Sequence, residues 1–506
     1  MSMKTIDLLF SEHAGKVSED YLADMGLEHI KNILEPELCA SFFGVISAPL
    51  KNREKILERQ NILKDFAEYP GLALSMKKIC IEIQQNKCAS THSDLRDKLK
   101  DFKMVLERSM SGAEELLKHL KHRNFSSQTL KELCNQLDCG AQVASIQERI
   151  SKLISASVGG NCVLGIEYGS GFKFRWANIY SGNINNASNG TENDGGANAS
   201  ANIFKLIKNN ITSKAPAKKE PTGFYYPNNY ILENQIKEIS GKTLKYVGMI
   251  IDDLNRHILN FCSSLARQLN FYIACLEIMN YLDVKNIPTV YPEFREDDSG
   301  RQISAQDILD FGLIINGGEN IVANNFNDAG GAYYLISGEN QGGKTTFLKS
   351  IGIAQLFAQV GMKVPAVKYS CPVFNNFFSH FPKDEDEDLN FGKLAEELTR
   401  INQAATMIAD NSLTLFNESF ATTTESEGFE IACDILRAFS ETSAKIFLVT
   451  HNYPLLKERG ELNLANGIKI KSLIADGRTY KIIEGEPKEN LDTVDIIASR
   501  YANYAP

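Results

Sequence analysis

Apolar side chains at Leu95, Leu99, Phe102, Leu106, Met110, Ala113, Leu117 and Leu120 recur at steps of three and four, the spacing that lines one face of a helix. Gly112 sits inside this run without ending it. A second stripe, through Leu130, Leu133, Leu137, Val143, Ile146, Ile150 and Leu153, predicts another helical stretch with a break or kink at Gly140. Residues 56–76 also read as mainly helical, broken at Pro70 and Gly71. The longest stripe runs through Val247, Ile251, Leu254, Ile258, Phe261, Leu265, Leu269, Tyr272, Leu276 and Met279, and ends near Asn286 and Pro288. At a rise of about 1.5 Å per residue it extends roughly 50 Å or more, a length that suits a lever, a coiled coil or one helix of a large bundle.

Between these helical blocks the periodicity vanishes. Ser181 to Asn202 is built of Gly, Asn, Ser and Ala and reads as a disordered loop, because almost nothing in it could pack a core. Short aromatic and β-branched runs, Phe172–Ile179 and Gly223–Tyr230, flank it. Lys205, Lys208, Lys214, Lys218 and Lys219 lie nearby, so the segment reads either as a small inserted module with a basic tip or as a solvated loop whose lysines bind nothing.

In the C-terminal part the pattern changes to short continuous apolar runs: Tyr333–Ile336, Ser412–Phe416 and Lys445–Thr450. Runs of this kind, alternating with helical stretches, predict buried strands of a parallel sheet. The fold class expected is therefore α/β at the C-terminal end, preceded by an all-α region.

Each of those three strands delivers a chemical group at its end. After the first comes Gly338-Glu339-Asn340-Gln341-Gly342-Gly343-Lys344-Thr345, a full GxxxxGK[ST] P-loop match that opens a helical run through Phe347, Leu348, Ile351 and Phe357. Glycines let backbone N–H groups turn in on phosphate oxygens at the positive end of a helix. Gly338, Asn340, Gly342, Gly343, Lys344, Thr345 and Thr346 are the expected ATP contacts, with the Lys344 ammonium on the β and γ phosphates and the Thr345 hydroxyl on Mg²⁺. The second strand ends at Asn417 and Glu418. A glutamate there can orient or deprotonate an attacking water, and the residue before it ordinarily holds a water of the magnesium shell. An Asn in that place still accepts a hydrogen bond but brings no negative charge, which weakens the metal site. The third strand ends at His451, whose imidazole can sense the γ-phosphate or position water near Glu418. The bland alternatives are a structural cap for Asn417 and Glu418 and a structural role for His451.

Composition narrows the class without changing it. The chain has 506 residues, of which 43% are apolar and 23% charged, an ordinary globular usage with room for two to four domains. No apolar stretch reaches the roughly 20 residues needed to span a bilayer, and Met1–Phe10 lacks a secretory pattern. Ten scattered cysteines without a CxxC pair fit reduced thiols in a cytoplasmic protein. Cys134 with Cys139 offers only two ligands where zinc needs three or four. A net charge of −9 argues against indiscriminate coating of nucleic acid but leaves room for a local basic patch.

The three motifs, in this order and spacing, resemble the ATPase domain of the MutS family of DNA mismatch-repair proteins, within the wider ABC class. Gly338–Pro365, GENQGGKTTFLKSIGIAQLFAQVGMKVP, parallels the family's GPNMGGKST helix with its following Gly and Pro. Leu413–Gly428, LTLFNESFATTTESEG, stands where the family has LVLMDEIGRGTSTYDG, and VTHNY where it has ATHY. Ile46–Phe66, ISAPLKNREKILERQNILKDF, is similar to the family's core and lever segment. The resemblance implies a helical core and lever over 1–157, a clamp-like insert over 158–235, further lever helices over 236–310 and an ATPase domain over 311–506. It also implies ATP and Mg²⁺ as cofactors, and a homodimer through the ATPase domains. A partner's nucleotide would be reached by the segment around Asn390, here Leu389-Asn390-Phe391 without the family's Ser hydroxyl.

The function so implied is an ATP-dependent DNA-binding clamp for mismatch repair or related damage and structure sensing, acting on mismatched or structured duplex with low sequence specificity and no membrane role. A mismatch-reading domain and connector do not fit before residue 40, which points to a MutS-like subgroup. The acidic run Asp384–Asp388 reads as a cap for the helix after it. Competing readings are a nucleotide-gated scaffold with little hydrolysis and no mismatch recognition, for which Asn417 is the positive sign, and another ABC-class ATPase. A transporter subunit would carry LSGGQ, and none is present. A chromosome-maintenance ATPase would place a long coiled coil between Lys344 and Glu418, where only about 70 residues intervene.

Overall fold

The computed structural model describes residues 7–85, parts of 104–121, 123–137, 162–169, 173–181, 230–295, 301–382, 393–420 and 423–487, except 329, 331, 477 and 478; for 162–181 and 230–255 it describes the backbone alone. The strands, in chain order, are β1 (Lys16–Val17), β2 (Cys162–Gly169), β3 (Lys173–Ser181), β4 (Glu293–Phe294), β5 (Ser304–Ile308) and β6 (Asn324–Asn327). They continue with β7 (Ala332–Ser337), β8 (Lys368–Cys371), β9 (Asn376–His380), β10 (Ser412–Asn417), β11 (Lys445–Val449), β12 (Lys469–Ala475) and β13 (Ile482–Glu484). The chain divides into two compact units, one of Asp7–Leu74, Phe125–Leu130 and Arg267–Pro506, the other of Met1–Ile6, Ser75–Asn124 and Lys131–Ala266.

Just upstream of the second of these units, the expected helix break at Pro70 and Gly71 is present between helices Arg53–Glu68 and Leu72–Gln85, with Gly71 at a φ of 81°. Gly112, inside the first apolar stripe, has a packing role: a Cβ there would lie 2.8 Å from Ile79 Cγ2 and 3.0 Å from Ile83 Cδ1, so only glycine allows this approach. The stripe from Leu130 yields helix Gln128–Leu137, and Gly140 lies outside the described residues. β2 and β3 pair antiparallel, and β3 takes in most of the Phe172–Ile179 aromatic run. Residues 182–202 and the lysines from 205 to 219 lie outside the described residues. The long helix is Tyr230–Val284 and so begins inside the segment assigned to the insert.

The first unit is organised by a seven-stranded sheet in the order β1-β9-β10-β11-β7-β12-β13, parallel throughout except at β13. Every residue of β9, β10 and β11 is buried, as expected of central parallel strands covered on both faces. The Lys344–Gln359 helix covers the sheet and is itself buried on nearly all sides. Helices Lys393–Ala409 and Glu425–Ser440 pack through Ile401, Ile408, Cys433 and Leu436 onto Leu335, Phe416 and Leu448. At the start of β11 the buried Lys445 pairs with the buried Asp328, which also accepts from the Tyr334 hydroxyl at 2.8 Å. Burial pulls the Lys445 ammonium down and Asp328 pulls it back up.

Strands also come from stretches read as helical. Residues 236–310 are not all lever helix: the helix stops at Val284, and β4 and β5 pair with β8 in a four-stranded sheet, order β4-β8-β5-β6. The first 157 residues are not all helical core either. Lys16–Val17 joins the seven-stranded sheet beside β9, with Lys16 N–H donating to Asn375 O at 3.1 Å and Ser18 N–H to Phe377 O at 2.9 Å. Gly15 permits it, since a Cβ there would collide with the carbonyl oxygen of Asn375. The Tyr21 hydroxyl then reaches Gly352 O on the Lys344–Gln359 helix at 3.2 Å. Two buried glutamines of that helix complete the anchorage: Gln359 Nε2 donates to Leu50 O at 2.8 Å and Phe374 O at 2.7 Å, and Gln355 Nε2 to Pro372 O at 2.8 Å.

Candidate functional site

Because β7, β10 and β11 are parallel neighbours with β11 in the middle, their C-terminal ends share one sheet edge. That edge holds Gly338–Thr346 after β7, Asn417 and Glu418 at the end of β10, and Thr450 and His451 after β11. The chain between Ser337 and Lys344 needs unusual backbone: φ is 125° at Gly338, 61° at Gln341 and 89° at Gly343. A Cβ on Gly342 would meet Glu339 O and Ala475 Cβ, both at 2.9 Å, so the loop is a cradle that side chains would fill. Gly343 caps the helix without a side-chain hydrogen bond, which leaves the first-turn N–H groups for a ligand.

Lys344 is 4% exposed, and its ammonium donates to Gly338 O at 2.9 Å and Glu339 O at 2.8 Å. Burial lowers its pKa, while Glu418 raises it. One residue on, the Thr345 hydroxyl donates to Asn417 Oδ1 at 2.9 Å. The two groups expected to share a magnesium ion therefore already touch. Glu418 leaves β10 at a φ of 50°, its N–H donating to Val449 O at 2.9 Å, and its Oε1 lies 3.5 Å from His451 Nε2. Both side chains are about one-third exposed, at 38% and 35%, so the pair faces solvent at the edge. The turn carrying His451 is tied down by Thr450 N–H to Ile336 O at 3.0 Å and by Asn452, which caps the next helix and donates to Glu425 O at 2.7 Å. Thr346 is half-buried in the first turn. Asn390 and the acidic run 384–388 lie outside the described residues.

Sequence reasoning overlooked what closes the loop from the other side. The β12–β13 hairpin presses Ala475 against Gly338 and Gly342, and Tyr480 O would lie 3.3 Å from a Cβ on Gly343. Asn324 of β6 fastens this hairpin, accepting from Ile482 N–H at 2.8 Å and donating to Tyr480 O at 3.3 Å. Tyr480 is 51% exposed, an aromatic ring at the rim of the Gly338–Gly343 loop. The sequence signal for this hairpin is the Asp476-Gly477 pair between two apolar runs. Also overlooked are His380 and Glu397, which contact the residues just after Glu418.

Residues 334–488 match the model of MutS domain V. Among curated relatives, the chain is 32% identical over 177 residues to an Endonuclease MutS2 of Bacillus velezensis, covering 33% of this chain and 22% of the relative. It is 27% identical over 307 residues to a Putative endonuclease MutS2 of Bacillus subtilis, covering 56% and 35%. An Endonuclease MutS2 of Streptococcus agalactiae is 34% identical over 156 residues, covering 30% and 20%. The chain thus spans between a fifth and about a third of the length of these relatives. Among the described residues, no helix is long and apolar enough to cross a membrane.

Proposed function

Because the chain belongs to the MutS family, we propose that it is a DNA-binding ATPase in which nucleotide binding and hydrolysis drive closure of the helical segments on duplex DNA. The observation that carries the ATPase reading is the convergence on one sheet edge of Lys344, the Thr345–Asn417 hydrogen bond and the Glu418–His451 pair. ATP binding moves the Lys344 ammonium from the carbonyls of Gly338 and Glu339 onto phosphate oxygens, an exchange of neutral for charged acceptors. Thr345 Oγ1 and, through water, Asn417 Oδ1 would hold Mg²⁺, which when bound neutralises charge on the β and γ phosphates. Glu418 accepts a proton from, or orients, the attacking water, and His451 holds that carboxylate toward the γ-phosphate. The exposed ring of Tyr480 gives the base a stacking face beside the loop. The segment around Asn390 supplies contacts to a partner's nucleotide, so that two chains form a dimer through these domains.

A second reading, a nucleotide-gated scaffold with little hydrolysis, is favoured by Asn417, which leaves the metal site one negative charge short. Steady-state phosphate release with Mg²⁺-ATP, measured alone and with paired, mismatched and branched duplexes, separates the two. DNA-stimulated turnover that Lys344→Ala abolishes supports the ATPase. ATP binding with DNA retention and no turnover supports the scaffold, and wild-type ATP affinity in Lys344→Ala overturns the nucleotide site itself.

A further inference from the structure

Directly after Glu418 the chain makes a turn that side chains disfavour. Glu418 has a φ of 50° and Phe420 a φ of 66°, and neither is glycine. Such a turn persists only where its surroundings over-determine it. Here the side of β10 away from the P-loop supplies two holds. From β9, His380 Nδ1 hydrogen-bonds Ser419 Oγ at 2.7 Å, with both residues buried. From helix Lys393–Ala409, Glu397 Oε2 accepts the Phe420 N–H at 3.0 Å. The Phe420 ring is buried with its centroid 6.4 Å from that of Phe416, and its carbonyl oxygen would lie 2.9 Å from a Cβ on Gly428. The helix that carries Glu397 is itself fixed, by Arg400 to Asp20 at 2.7 Å and by Asn376 Nδ2 to the carbonyls of Met407 at 3.0 Å and Asp410 at 2.8 Å.

We propose that Glu397 and His380 are positioning residues for Glu418: together they lock the 418–420 turn, so that helix Lys393–Ala409 sets where the water-activating carboxylate points. The inference rests on the ATPase reading. The hydrogen bonds from these two residues to Ser419 and Phe420 lie in the 418–420 turn, whereas the phosphate contacts are assigned to 338–346. Removing a hold lets the turn relax toward ordinary backbone and swings the carboxylate away from His451, while the phosphate contacts stay in place. The signature is a loss in kcat with ATP affinity retained.

The test uses the full chain and compares Glu397→Asp, Glu397→Gln, Ser419→Ala and Glu418→Gln for kcat, KM for ATP and melting temperature. Glu397→Asp keeps the charge but is one methylene too short, and kcat should fall about tenfold with KM within about twofold. Glu397→Gln keeps an acceptor oxygen at the right reach and should restore kcat to within about threefold of wild type. Ser419→Ala removes the His380 contact at little cost in volume and should also lower kcat selectively. Wild-type kcat in both Glu397→Asp and Ser419→Ala, with Glu418→Gln inactive, overturns the positioning role and leaves the ATPase reading standing. Wild-type kcat in Glu418→Gln overturns the ATPase reading itself. Equal losses in Glu397→Gln and Glu397→Asp, matched by a lower melting temperature in both, would show a structural role only.

Discussion

The Thr345 hydroxyl and the Asn417 amide oxygen lie 2.9 Å apart, joined by a hydrogen bond across the P-loop helix and β10. Under the proposed ATPase reading, Thr345 Oγ1 and, through water, Asn417 Oδ1 would hold Mg²⁺. Asn417 would then supply an acceptor without a negative charge. Restoring it by Asn417→Asp should lower the Mg²⁺ concentration for half-maximal turnover by about tenfold, or about 1.4 kcal/mol. Titration of ATPase activity against Mg²⁺ reads this directly, and an unchanged midpoint would show that Asn417 lies outside the metal's shell.

Tyr480 is positioned by Asn324 rather than by its own burial, so truncating its ring leaves the β12–β13 hairpin fastened. Tyr480→Ala should raise KM for ATP by about three- to tenfold, the scale of an aromatic contact worth about 0.5–1.5 kcal/mol. The effect on kcat should be small, because the stacking role proposed for the ring concerns the base and leaves the γ-phosphate to other residues. Tyr480→Phe should behave as wild type. Equal KM values for all three proteins would remove the ring from the nucleotide site.

The Gln359 side chain joins three distant parts of the first unit. It donates to Leu50 O and Phe374 O and accepts the Phe374 N–H at 2.8 Å, wholly out of water. Gln359→Leu matches its size but strands two carbonyls and two N–H groups, those of Phe374 and of the Gln355 amide, in the interior, at about 1–3 kcal/mol for each buried polar group left unsatisfied. A loss of unfolding free energy of about 3 kcal/mol is expected in urea titration. A loss below about 0.5 kcal/mol, the scale of an ordinary surface substitution, would mean that water or a shift of Leu50 repairs the contacts.

How much of this is legible in sequence follows from how local each feature is. Gly338–Thr345, Glu418 and His451 each stand where a continuous apolar run meets a polar turn, so the strand and the turn, and with them the candidate site, can be read within about ten residues. β1 does not: two residues carry no alternation, and Lys16–Val17 is a strand only because Asn376–Phe377 lies open beside it. Gln355 and Gln359 look like polar breaks in an apolar helix until Leu50, Pro372 and Phe374 are placed around them. His380 and Glu397 are equally invisible, since their importance comes from a backbone turn at 418–420 that propensity argues against.

At Asp310 a cap and a burial penalty oppose each other. Its Oδ1 accepts the Leu313 N–H at 2.7 Å and starts helix Phe311–Ile315, a role that a neutral amide fills equally well. The residue is 4% exposed, and burial raises its pKa from the ordinary 3.8 to about 6, against the opposing pull of the Leu313 N–H and the Lys349 ammonium. A folded-state pKa above the unfolded one means that the folded chain binds the extra proton. The stability it contributes is therefore complete below about pH 3.8 and is lost as pH rises through about 6. Asp310→Asn keeps the cap and removes the charge, so it should be stabilising on the order of 1–3 kcal/mol at pH 8 and close to neutral at pH 4. Urea midpoints of both proteins at pH 4, 6 and 8 make the comparison. Parallel pH profiles for the two would show that Asp310 titrates alike in the folded and unfolded chain, and a loss of stability in Asp310→Asn at pH 8 would show that the Lys349 attraction outweighs burial.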